Sequence, residues 1–127
     1  MKLITEEIKK RLPPLYSQEE KGEEAIAQLK FFDPTGSWTW YVTEGSPVDD
    51  EGMMIGPGES EGEPADFLFF GLVDGFEAEM GYFSLSELET AKEGLTGLKA
   101  LPIERDLYWT PKTLREVRAQ IAKNNGD

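Results

Sequence analysis

The chain has 127 residues, no cysteine, no histidine and a formal net charge of −12, from 25 acidic and 13 basic residues. That length suits one domain with a core of its own. The two missing residue types exclude disulfides, thiolate or imidazole metal sites and every His- or Cys-based catalytic triad. The charge is also unevenly placed. Residues 31–91 hold 14 Asp and Glu and no cation, while the remainder holds 13 basic and 11 acidic residues. Such a field repels nucleic acid and anionic membranes and attracts basic surfaces. The longest apolar run, 67–73, falls far short of the ~20 residues of a membrane-spanning helix. The first residues, MKLITEE, run into a helix without an apolar signal region, so a cytoplasmic location is expected.

In chain order, Thr5 is the expected N-cap of a short helix, with Glu6 and Glu7 at its start and Lys9, Lys10 and Arg11 at its end. Leu12-Pro13-Pro14 stops it, and Ile4, Ile8, Leu12, Leu15 and Tyr16 should dock on the core. Ser17-Gln18-Glu19-Glu20 followed by Gly22 predicts a turn. Residues 25–32 then predict a strand, Asp33-Pro34-Thr35-Gly36 a turn, and 37–43 a returning strand. On that strand Trp38, Trp40 and Val42 share one face, and Thr39, Tyr41 and Thr43 the other. The two indoles are read as core or core rim, with a stacking platform as the functional alternative.

Residues 44–65, EGSPVDDEGMMIGPGESEGEPA, hold five glycines, three prolines, seven carboxylates and no cation. We expect a long acidic loop there, with Met53-Met54-Ile55 as a small apolar patch. Gly56-Pro57-Gly58 lacks the following Lys of a phosphate loop, and Asp49-Asp50-Glu51 lacks the spaced ligands of an EF-hand. The second hairpin is the strongest signal in the chain. Residues 67–73 are almost wholly apolar, Asp74-Gly75 marks the turn, and Phe76, Ala78, Met80 and Tyr82 alternate with Glu77, Glu79, Gly81 and Phe83. Ser84-Leu85-Ser86-Glu87 predicts a capping box and a helix burying Leu85, Leu88 and Ala91, ending at Gly94. A fifth strand is expected over 103–109, with Ile103, Arg105, Leu107 and Trp109 on one face. Thr110-Pro111 then opens a last helix with Leu114, Val117 and Ile121 as its buried stripe.

These elements predict an α+β fold: one domain, 1–127, with a mainly antiparallel sheet of about five strands, two hairpins plus a later strand, and helices packed on one face. Four ordered blocks, LITEEIKKRLPPLY, KFFDPTGSWTWYVTE, FFGLVDGFEAEMGYFSLSELE and LPIERDLYWTP, resemble an uncharacterised bacterial family, domain of unknown function 2958. Its members are often carried on plasmids, phages and other mobile elements. The resemblance implies no established activity, catalytic residue or cofactor. It implies an accessory or anti-defence role only by association.

The first functional expectation is a non-enzymatic interaction protein whose acidic face binds a basic bacterial protein, a nucleic-acid-binding or defence protein among them, by imitating the charge of DNA. Its candidate binding residues are Glu44, Asp49, Asp50, Glu51, Glu59, Glu61 and Glu63, with Trp38 and Trp40 as a possible platform. Arg105, on the apolar side of its strand, is expected to pair or to cap the sheet edge, with an anion-binding or catalytic role as its alternative. One competing reading is a small hydrolase using two carboxylates, Glu77 or Glu79 beside Asp106. Another is an acidic globular domain whose charge serves solubility. No catalytic residue, metal ligand or cofactor is assigned, and the oligomeric state is left open.

Overall fold

A computed structural model describes residues 2–55, 64–90 and 101–125. In chain order it contains α1 (Glu6–Arg11), a 3-10 segment (Glu19–Glu24), β1 (Ile26–Ala27), β2 (Leu29–Phe32), β3 (Thr39–Val48), β4 (Asp66–Asp74), β5 (Ala78–Ser84), α2 (Leu85–Thr90), β6 (Glu104–Arg105), β7 (Lys112–Thr113) and α3 (Leu114–Asn124). Five strands form an antiparallel sheet in the order β5-β4-β3-β2-β6, and β1 pairs with β7 in a separate two-stranded ribbon. The class is α+β, and both expected hairpins are present.

The two sides of the sheet follow from strand alternation. Trp40 and Val42 of β3 lie opposite Val73 and Gly71 of β4, while Tyr41 lies opposite Leu72. Trp40, Val42, Phe31, Phe67 and Phe69 form one core with Ile8 of α1 and Leu88 of α2. Tyr41, Leu72, Ala25 and Ala27 form a second with Leu114 and Val117 of α3. The expectation of helices on one face is therefore corrected: α1 and α2 cover one side of the sheet and α3 the other. Both faces of β3 carry apolar side chains, so one helical layer could not cover them.

Four boundaries also differ from expectation. First, β3 does not end at Thr43 but continues to Val48, through a bulge between Val42 and Glu44. Beyond the bulge the edge facing β2 is taken by the chain after α1, where the Gly45 N–H donates to the Pro13 carbonyl at 2.9 Å. The acidic loop therefore cannot begin at 44. Second, the fifth strand is two residues long. Asp106 Oδ1 accepts from the Tyr108 N–H at 2.9 Å, an Asx turn that swings the chain off the sheet. Leu107 and Tyr108 are left exposed. Trp109 packs on the second core, its indole N–H donating to the Ala27 carbonyl at 2.9 Å.

Third, α3 starts at Leu114 rather than after Thr110. Thr113 and Glu116 cap one another reciprocally, a four-residue box that outranks the Thr-Pro start because it satisfies two donors at once. Lys112 and Thr113 are held instead as β7 against β1. Fourth, Phe76 belongs to the β4–β5 turn and not to the strand, since β5 begins at Ala78.

At α1 the expectation holds. Thr5 Oγ1 accepts from the Ile8 N–H at 3.2 Å, and Ile4, Ile8, Leu12 and Leu15 are buried. Tyr16 is the exception, about half exposed against Tyr82. Ala91 and Gly94, the expected end of α2, lie outside the described residues. No helix of the described residues is long and apolar enough to cross a membrane.

Candidate functional site

The candidate acidic residues do not share one role. Glu44 is 2% exposed and lies on the side of β3 that carries Phe70 across the ladder. Its Oε1 accepts from the Tyr16 N–H at 3.0 Å and its Oε2 from the Gln18 N–H at 2.7 Å. Beside it Ser46 Oγ accepts from the Leu15 N–H at 2.9 Å. Glu44 is a brace for the chain after α1, and its assignment to a binding face is corrected. The sequence signal was present but uninformative, because a carboxylate in a Gly- and Pro-rich run reads as loop.

Asp49 also works on its own backbone. Its Oδ1 accepts from the N–H groups of Glu51 and Met53, both at 2.9 Å, closing a tight turn that lets Met54 pair with Val48. Met53 and Met54 remain exposed, so this patch is fixed through its backbone while its side chains face out. Asp50 and Glu51 are exposed at the tip of that turn. Glu59, Glu61 and Glu63 lie outside the described residues.

Two carboxylates that the sequence reading did not assign to a binding face, Glu87 being expected only as a capping residue, complete the picture. Asp66 opens β4, where its Oδ1 accepts from the Phe67 N–H at 2.8 Å and the Ser86 N–H at 3.1 Å, and its Oδ2 accepts from the Ser86 hydroxyl. Glu87 lies in the first turn of α2, its N–H donating to Ser84 Oγ at 3.1 Å. This is one half of the expected capping box; in place of the other half, Asp66 takes the free N–H of Ser86. Asp49, Asp50, Asp66 and Glu87 then line one open groove of about 430 Å3, floored by Val48, Ala65 and Leu68, with no cation in its wall among the described residues. The spacing Asp66…Ser84-x-Ser86 was the available signal, but it becomes one only when β4 and β5 are paired. Among the described residues no three carboxylates converge as ligands for a metal ion.

Partial burial alone would raise the Asp66 carboxyl, but the hydrogen bonds from Ser86 and Phe67 outweigh it and hold the carboxyl below its ordinary value. A carboxylate depressed in the folded protein adds stability above its unfolded value, and that stability is lost as pH falls through the lower folded value. Asp66→Asn should therefore be less stable than the parent at pH 7, with the gap closing below about pH 4. Urea unfolding at pH 7 and pH 3 measures it, and a gap independent of pH would contradict the assignment.

The other candidates separate. Trp40 is a core residue, whereas Trp38 is half-buried and meets Phe76 edge-on, so the pair is no platform. Arg105 donates from Nη1 to the carbonyls of Leu3 at 2.7 Å and Lys2 at 3.2 Å. It ties the N-terminal segment to the edge strand as a cap. Asp106 lies 3.7 Å from Lys30 Nζ beside β6, at the opposite edge of the sheet from β5 and its turn. Four strand spacings, about 19 Å, separate it from Glu79. The carboxylate pair required of a hydrolase at Glu77 or Glu79 with Asp106 is not formed.

Residues 59–127 match the model of a family described as "Protein of unknown function (DUF2958)". The chain belongs to the DUF2958 family. The match spans β4 to α3 and so includes Asp66 and Glu87, while β3 and its Asp49 turn precede it. Comparison with curated proteins and with solved structures gives no match.

Proposed function

We propose that this DUF2958 protein is a non-enzymatic interaction protein whose acidic side holds a basic bacterial protein. The observation that carries the reading is the groove between the 49–52 turn and the start of α2: four carboxylates, an apolar floor and no cation among the described residues, within a 61-residue span that has no Lys or Arg. A Lys or Arg side chain entering it exchanges hydration for charge-assisted hydrogen bonds while its stem lies on Val48 and Leu68. Its narrowest form has a nucleic-acid-binding or defence protein as the partner, with these carboxylates standing where phosphates would. The accessory role on a mobile element is the further, associational part of this reading.

The experiment is capture of partners from a bacterial lysate, identification, and rate measurements with the purified pair. Association should slow steeply as salt rises, since exposed charges are screened over ~10 Å at 0.1 M, while dissociation changes little. An association rate independent of salt would overturn the reading.

A further inference from the structure

The turn between β4 and β5 carries an aromatic residue where turn chemistry favours Gly, Asn, Asp or Ser. Phe76 is 95% exposed. It is not a cover for the residue beneath it: its ring meets Trp38 edge-on, centroids 5.4 Å apart at 82°, and a covering ring would itself lose exposure. Trp38 in turn stands 6.2 Å from Trp40, which is 5% exposed in the core. Three rings thus run from the interior to the tip. The turn backbone rests directly on Trp38, since a Cβ at Gly75 would come within 2.7 Å of its ring. Phe76 is held out on a stiff support, which lowers the ordering cost of contact with a partner.

Among the described residues, the charges of the β4–β5 turn and the start of β5 have one sign. Glu77 and Glu79 are exposed, and the pairing of Glu79 with Val73 puts it on the same side of the sheet as Trp40. We propose that the β4–β5 tip is an arginine-binding knob. Guanidinium groups on a basic protein stack on Phe76 and the rim of Trp38 while Glu77 and Glu79 accept their hydrogen bonds. Arginine is favoured over lysine because its planar, weakly hydrated guanidinium offers both a stacking face and a fork of donors. This rests on the acidic-side reading above and deepens it, but it concerns the opposite end of the hairpin from the groove.

Labelled nona-arginine and nona-lysine peptides of equal charge test it, with binding to the full chain read by anisotropy in about 0.15 M salt. The parent should bind nona-arginine at least about fivefold more tightly than nona-lysine, and Phe76→Ala should bring nona-arginine to the nona-lysine level. Its melting temperature should stay within about 2 °C of the parent, as for an exposed side chain. Equal binding of the two peptides by the parent, or undiminished nona-arginine binding by Phe76→Ala, would overturn the knob alone. Binding of neither peptide would overturn the acidic-side reading with it.

Discussion

Glu44→Ala is expected to lower the unfolding free energy by about 3–5 kcal/mol, although no sequence feature marks Glu44 as structural. The substitution leaves the N–H groups of Tyr16 and Gln18 without the oxygens that accept from them. Each orphaned donor costs about 1–3 kcal/mol, and bonds to a charged acceptor lie at the upper end. Tyr16 sits at φ 73, a conformation that a bulky side chain holds only when its surroundings fix it, so its relaxation offsets part of that cost. Against a total of about 5–15 kcal/mol for a domain, that is a large loss. Glu44→Gln keeps the volume and one oxygen but turns an amide N–H2 toward a donor, so it should fall between the two. Chemical denaturation measures both. A loss under about 1 kcal/mol for the alanine variant would return Glu44 to the surface role that the sequence suggested.

Gly71→Ala should be as damaging or worse, while Gly81→Ala, its cross-strand partner, should be close to neutral. The two glycines face one another on β4 and β5, so their propensities are matched and only their surroundings differ. A Cβ on Gly71 would overlap the backbone carbonyl of Tyr41 and press on Val42, beside the β3 bulge where neither strand can move without breaking the ladder. At Gly81 a Cβ meets nothing. Loss of cooperative unfolding, or about 3 kcal/mol or more, is expected for the first. A change within about 0.5 kcal/mol, or a small gain from reduced unfolded-state entropy, is expected for the second. Equal effects at the two positions would mean that β3 and β4 are not registered as described.

The hairpins were legible because their signals are local: an apolar run, a turn dipeptide and alternation across it. The shortened fifth strand was not, because its alternating residues 103–109 carry the right period and only the Asx turn at Asp106 breaks it. Both helix layers share the stripe pattern of any amphipathic helix, and nothing in Leu114, Val117 or Leu88 says which side of a sheet each covers. The candidate site was half legible. Composition located the acidic region, but a count of carboxylates cannot separate Asp50, which is exposed, from Glu44, which spends both oxygens on backbone N–H groups, or from Asp49, which spends one. Asp66 and Glu87 were missed because they enter the groove from elements distant in sequence. Phe76 was missed because strand alternation was extended one turn too early.

The account turns on whether the groove carboxylates act by position or merely by adding to the total charge. The direct measurement compares association rates at low salt, with the captured basic partner, for two variants of equal charge. One carries Asp50→Asn and Glu87→Gln, both in the groove wall; the other carries Glu7→Gln and Glu20→Gln, exposed and outside that wall. The account predicts that the groove set slows association about tenfold and the other set less than about twofold. Equal slowing by both would contradict it, leaving charge without a site.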